Sequence, residues 1–263
     1  MYNNQRVWIT GASSGIGQAL AIQFAEQGAH VILSARRLPQ LEQVRQSLKH
    51  PERHHCVAMD ITDEKQVAQI VAQVFTTIGT IDVLINNAGL SQRALITDTT
   101  MATERKIMEV DYFAQVHLTK QILPYLVQQK SAQIVFISSV AGLLGTQYRA
   151  SYSAAKAAIH MWANSCRAEY ADQGISVSVI FPGFVQTNVS FNALNGKGEA
   201  QQHQDEAIAQ GLAANDFARQ AVKALAVKKE YIVIGGHKEK LGVAVSRLSP
   251  QFLYKMIRKA KVK

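Results

Sequence analysis

The sequence predicts a single doubly wound α/β domain built on a seven-stranded parallel sheet with helices on both faces. Three features point there. Short β-branched or apolar runs alternate with longer stretches whose apolar residues recur every three or four positions, the short runs are apolar almost throughout, and the first leads directly into a glycine-rich turn. A strand that is apolar on both sides is covered on both sides, and joining parallel strands requires crossovers, nearly always right-handed.

Taken in order, residues 6–10, 30–35, 55–59, 82–86, 133–138, 176–181 and 231–234 read as strands. Residues 17–27, 63–78, 101–129, 151–173 and 215–227 carry the helical period between them. Residues 190–215 break the pattern; polar and rich in Gln, Asn and Gly, they read as a mobile substrate loop. Residues 1–236 form the catalytic domain in this reading, and 237–263 a basic C-terminal extension. There Ser249 and Pro250 make a good helix start. Phe252, Leu253, Met256, Ile257 and Ala260 then share one face, while Lys255, Arg258, Lys259 and Lys261 lie elsewhere.

Composition narrows the function. With 263 residues, 48% of them hydrophobic and only 18% charged, the chain can fill one core and fits neither a disordered protein nor a coiled coil. No apolar run approaches the roughly 18 residues of a membrane span, and an apolar strand pattern begins at Val7 without a basic and apolar leader. A cytoplasmic protein is expected, with contact at a membrane surface left open. Cys56 and Cys166 lack metal-ligand or CxxC spacing and read as free thiols in a reducing compartment, with no metal site. The net charge of +9 is uneven: residues 237–263 hold eight Lys or Arg against one acid, leaving the other 236 residues near +2. No nucleic-acid module accompanies that charge. The tail helix instead reads as packing on its own domain or a second subunit, or as lying among lipid headgroups.

The turn after the first strand is Thr10-Gly11-Ala12-Ser13-Ser14-Gly15-Ile16-Gly17. Glycines at a strand-to-helix turn let the backbone approach a pyrophosphate, which free amides and the helix dipole favour. Gly11, Ser13, Ser14, Gly15, Ile16 and Gly17 are therefore expected to hold a dinucleotide. The second strand ends in Arg36 and Arg37 with no acid nearby. A carboxylate there suits the ribose 2′-hydroxyl of NAD, whereas guanidinium groups suit a 2′-phosphate, so NADP (NADPH) is the expected coenzyme. Asp60 and Ile61, at the end of the third strand, are placed to meet the adenine. Asn87, Ala88 and Gly89 close the fourth, and Asn87 could serve either architecture or cofactor. Tyr152 and Lys156, four apart, share a helical face, and with Ser139 they fall beyond the carboxyl ends of the strands, where open parallel sheets place their ligand crevice.

The set Thr10 to Gly17, Asn86-Asn87-Ala88-Gly89, Ser139, Tyr152, Lys156 and Pro182-Gly183 resembles the short-chain dehydrogenase/reductase superfamily, over about residues 6–234. That resemblance implies a Rossmann fold in which Tyr152 is the general acid for carbonyl reduction and the base for alcohol oxidation. A phenol ionises near pH 10, and the Lys156 ammonium would favour the phenolate while also holding the nicotinamide ribose. Ser139 would hydrogen-bond the substrate oxygen. Pro182, Gly183, Val185 and Thr187 match the segment that holds the nicotinamide carboxamide. At Asp111 the family usually has Asn, which anchors a water leading protons towards the lysine. An ionised Asp111 would weaken the positive field at Tyr152, so either a higher pH optimum or an Asp111 kept partly neutral by burial is expected.

The tail and the stretch 112–116 are similar to the hydroxysteroid-dehydrogenase-like branch, whose members are often dimers or tetramers; a homodimer or homotetramer is expected here. The function that follows is NADP(H)-dependent hydride transfer between nicotinamide and a small-molecule carbonyl or alcohol. A 3-oxoacyl-thioester reductase, or an NADP-binding sensor without turnover, are the alternatives.

Overall fold

The computed structural model describes residues 1–258. Seven parallel strands form one sheet: β1 (Arg6–Thr10), β2 (His30–Ala35), β3 (His55–Ala58), β4 (Val83–Asn86), β5 (Ala132–Ile137), β6 (Ile175–Pro182) and β9 (Tyr231–Ile234). They run in the order β3-β2-β1-β4-β5-β6-β9. Two short strands, β7 (Val185–Gln186) and β8 (Leu212–Ala213), pair outside it. The helices are α1 (Gly15–Glu26), α2 (Leu38–Ser47), α3 (Glu64–Thr77), α4 (Met101–Met108), α5 (Ala114–Gln129), α6 (Ala150–Tyr170), α7 (Glu206–Ala209), α8 (Ala214–Ala226), α9 (His237–Leu248) and α10 (Pro250–Ile257).

The sheet is doubly wound because the crossovers cover both faces: the first two and the last lie on one side, the three between them on the other. On one side α1, α2 and α8 pack Leu20, Phe24, Leu41, Phe217 and Leu225 against Val7, Ile9, Val31 and Leu33. On the other, α3, α5 and α6 pack Val67, Val71, Leu118, Ile122 and Ile159 against Trp8, Ile32, Leu84 and Ile134. Burial of each such side chain contributes about 1.5–3 kcal/mol. The Trp8 indole N–H, carried inward on β1, donates to Ser34 Oγ at 2.7 Å. No described helix is long and apolar enough to cross a membrane.

Three sequence expectations are adjusted. The helix expected over residues 101–129 is broken into α4 and α5 by a π turn at Glu109–Phe113, which inserts an extra residue into the helical register. Helix α2 lies where no helix was expected, because only Leu41 and Val44 are buried and its apolar stripe is thin. Residues 190–215, read as irregular, contain α7 and β8 and are tied together: Gln201 donates to Ser190 O, the Asp205 amide donates to Ser190 Oγ, and Arg93 forms a buried ion pair with Asp205.

The extension packs on the domain. Val243 and Leu253 are buried in the core on the α6 side, and the Arg247 guanidinium lies 4.3 Å from the Tyr231 ring centroid. Thus the tail's apolar face is divided: Leu253 and Ile257 turn inward, while Phe252, Tyr254 and Met256 are exposed. Lys259, Ala260 and Lys261, counted in the sequence for this helix, lie outside the described residues.

Candidate active site

All seven strands of the sheet are parallel, so their carboxyl ends gather at one rim, and the turns leaving Thr10, Asn86, Ile137 and Pro182 are brought together there. The glycine turn forms the first part. Gly11 and Gly15 have φ of 64° and 57°, a region that strains side chains. At Gly17 a Cβ would run into the Gly11 carbonyl oxygen and stand 2.5 Å from Asn87 Nδ2, so only glycine lets the helix start this close to β1. Ser14 is the N-cap of α1 but its side chain caps nothing, which leaves the first-turn amides uncapped for an anion. A dinucleotide phosphate therefore fits this cradle.

Asn87, whose role the sequence left open, braces the glycine turn. Its Nδ2 donates to Thr10 O at 2.8 Å and to Gly11 O at 3.2 Å, and the Asn87 and Ala88 amides both donate to Thr10 Oγ1. The side chain thereby clamps β4 to the glycine turn. Gln115 on α5 supports the same segment by donating to Ala88 O at 2.8 Å, a contact no spacing in the sequence suggests. Arg36 and Arg37 are exposed just past β2, without a hydrogen-bond or ion-pair partner among the described residues. Asp60 is already engaged, since its Oδ1 accepts from the Thr62 amide and hydroxyl; Ile61 beside it is buried.

Lys156 sits in a tight cage. Its Nζ donates to Ile137 O at 3.1 Å, lies 3.5 Å from Asp111 Oδ2 and stands 5.8 Å from the Tyr152 ring centroid. Two close approaches hold its helix against β5: Ser138 Oγ donates to Lys156 O, and a Cβ at Gly142 would stand 2.7 Å from the Lys156 carbonyl carbon. Ser139 is half-buried, and its Oγ accepts from the Ala141 amide at 3.1 Å. That bond uses an oxygen lone pair, so the hydroxyl proton stays available to a substrate oxygen.

The π turn carries Asp111 inward to complete burial. Its Oδ1 accepts from the Leu90 amide at 2.6 Å, and Oδ2 has Lys156 as its ion-pair partner but no hydrogen bond. Burial pushes the carboxyl above the usual carboxylate range, with Lys156 and the Leu90 amide pulling the other way. Gly89 lies over this pair, where a Cβ would meet Asp111 Oδ1 at 3.0 Å and Lys156 Nζ at 3.1 Å.

Beyond β6, Pro182 and Val185 are buried and Gly183 and Thr187 half-buried. Thr187 leans over the glycine turn, its Cγ2 3.2 Å from where a Gly15 Cβ would be. This segment is braced from the extension: Glu239 Oε1 accepts from the Phe184 amide at 3.1 Å, and a Cβ at Gly183 would stand 2.7 Å from it. In the sequence Glu239 is only the lone acid of a basic tail. Arg93, Arg149 and Asp205, buried together, also went unmarked; Arg149 is the N-cap of α6, three residues before Tyr152, a position that could have revealed it.

Residues 5–197 match the family described as short chain dehydrogenase. Among curated proteins, the chain is 36% identical over 98% of its length to "Dehydrogenase/reductase SDR family protein 7-like" of Drosophila melanogaster, covering 80% of that protein. It is 35% identical over 97% of its length to "Dehydrogenase/reductase SDR family member 7B" of Mus musculus, again covering 80%. Among solved structures, a short-chain dehydrogenase from Streptomyces avermitilis superposes with a TM-score of 0.81 at 29% identity, covering 97% of this chain and 98% of that one. A Burkholderia phymatum short-chain dehydrogenase/reductase in complex with NAD, 22% identical with a TM-score of 0.83 and coverage of 100% and 98%, shares the fold. A match of this extent places the chain in the short-chain dehydrogenase/reductase family of nicotinamide-dependent oxidoreductases.

Proposed function

We propose that the protein is an NADP(H)-dependent reductase of small carbonyl compounds, or in reverse a dehydrogenase of the matching alcohols, working through Tyr152, Lys156 and Ser139. The observation that carries this reading is the caged Lys156 ammonium, 5.8 Å from the Tyr152 ring centroid at the rim where the glycine turn ends. The bound nicotinamide supplies or accepts the hydride. The chain's own part is to orient the substrate and move a proton. Ser139 donates to the substrate oxygen as charge develops on it. Tyr152 gives its phenolic proton to that oxygen, or takes one from an alcohol, and the neighbouring ammonium stabilises the phenolate left behind.

The preference for NADP rests on Arg36 and Arg37, which lie exposed and unpaired where a 2′-phosphate would stand, with no carboxylate there to bind a ribose hydroxyl. The same proposal includes a homodimer or homotetramer through α5 and α6, supported by the exposed Phe113, Tyr125 and Met161. It also includes peripheral contact with an anionic surface in the cytoplasm, supported by exposed Phe252, Tyr254 and Met256 beside Lys255 and Arg258.

A single experiment tests the chemistry. With a panel of ketones and aldehydes followed by coenzyme absorbance, NADPH should support turnover far better than NADH. Tyr152→Phe should lower kcat by about 10²-fold or more while coenzyme still binds. Retained turnover in the variant would end the proposed mechanism, and equal efficiency with the two coenzymes would end the assignment of NADP.

A further inference from the structure

Arg149 is a buried cation with two guanidinium nitrogens left without a hydrogen bond. Its side chain is 9% exposed, and its Nε and Nη2 are shut off from solvent with no hydrogen-bond partner among the described residues. The nearest acid is Asp205, whose Oδ2 is 3.6 Å from Arg149 Nη2 but only 2.6 Å from Arg93 Nε. Asp205 Oδ1 is taken by Gln201 Nε2 at 3.3 Å. One carboxylate thus serves two guanidinium groups. Arg93 is satisfied, because its Nη1 also donates to Ser91 Oγ and Gln92 O. The uncompensated positive charge of the cluster therefore resides on Arg149, and burial pushes its pKa down to about 10.

Arg149 stands among the parts of the proposed site: it is the N-cap of α6 and precedes Tyr152 by three residues. Its guanidinium carbon lies 5.5 Å from the centroid of the Phe184 ring, which follows Pro182 and Gly183 directly. Asp205 reaches it from residues 190–215. The proton donor, the segment proposed for the nicotinamide and the folded excursion thus converge on it. Buried polar groups are normally satisfied, so the orphaned Arg149 donors call for a polar partner that the described residues do not supply.

We propose that Arg149 is a substrate-specificity residue that receives an oxyanion, the carboxylate or phosphate of a carbonyl compound whose C=O is presented to Tyr152. The guanidinium offers such a group paired, charge-assisted donors. Arg149 is the N-cap of α6, three residues before Tyr152, so the oxyanion stands only a few bonds from the carbonyl. This identity of the substrate rests on the reductase reading above.

The test uses the full chain saturated with coenzyme and four probes: 4-oxopentanoate, (2-oxopropyl)phosphonate and the neutral methyl esters of each. Turnover is followed by coenzyme absorbance and binding by titration calorimetry, for the wild type, Arg149→Met and Arg149→Lys. The expected result is an anion-over-ester preference of tenfold or more in the wild type. It should collapse towards unity in Arg149→Met and be partly restored in Arg149→Lys, and the better of the two anions identifies the oxyanion. Anion-selective binding without turnover of any probe would uphold the oxyanion site and overturn the reductase reading. Turnover with no wild-type preference for the anions would uphold the reductase and overturn the site, as would a preference that Arg149→Met leaves intact. Absence of both binding and turnover for all four probes would also overturn it.

Discussion

At the scale of single residues, Asp111 sets the electrostatics around Lys156. An Asn there would be neutral at every pH, whereas the Asp111 carboxyl faces Lys156 Nζ at 3.5 Å from a fully buried position. Because burial raises its pKa in the fold above that of the unfolded chain, the native state retains the proton over a pH window that opens at about 4, the ordinary carboxylate value. Stability from the neutral form is complete below that window and is lost as pH rises through the raised pKa. Asp111→Asn has no proton to lose. Urea midpoints measured across this range should therefore decline with pH more steeply in the wild type than in the variant, by at most about 1.4 kcal/mol per pH unit. In alcohol oxidation the variant's rate profile should move to lower pH, since removing negative charge strengthens the field that favours the phenolate. An unchanged profile would place Asp111 outside the proton relay. The departure from Asn at this position was legible in the sequence; the direct pairing with Lys156 was not, because it depends on a helical register that the π turn alters.

Among the elements, the glycine turn shows how much of the site a local pattern can carry. Strand, three glycines and helix stand in the order that a phosphate cradle requires, and the uncapped first turn of α1 is the outcome. Asn87 could not be resolved from sequence, as its bonds to Thr10 O and Gly11 O depend on β1 and β4 being neighbours in the sheet. Gly17→Ala tests the closeness of this packing. The added methyl meets the Gly11 carbonyl and Asn87 Nδ2, and overpacking of this kind costs about 1–3 kcal/mol. The melting temperature should fall and coenzyme affinity should drop at least tenfold by fluorescence titration; a variant with wild-type affinity would show that the turn can relax without harm. The missed elements share a cause. Helix α2 buries only Leu41 and Val44, and the π turn has no periodicity of its own, so hydrophobic spacing carries little signal for either.

For the molecule as a whole, hydrophobic alternation was enough to give the seven strands and their parallel arrangement, whereas contacts between distant segments were not legible. The extension is the main case. Its excess of Lys and Arg stood out, yet the residues that join it to the domain are Glu239, Val243, Arg247 and Leu253, three of them uncharged or acidic. A chain ending at Gly236 would leave the Phe184 amide without its carboxylate and expose core apolar surface where Val243 and Leu253 pack. Each of those side chains contributes about 1.5–3 kcal/mol when buried. The shortened protein should melt several degrees lower and show a higher KM for coenzyme in steady-state assays. Unchanged values would make the extension an appendage with no part in shaping the segment after β6.

The ion cluster formed by Arg93, Arg149 and Asp205 also restricts how the protein can be altered. Residues 190–215 look like an exchangeable module, the natural place to splice a foreign sequence in order to redirect selectivity. Yet any replacement has to bring its own acid to the place of Asp205. A transplant without one would enclose two like charges in a dry wall, and the penalty would be felt at the first turn of α6 rather than in the grafted segment.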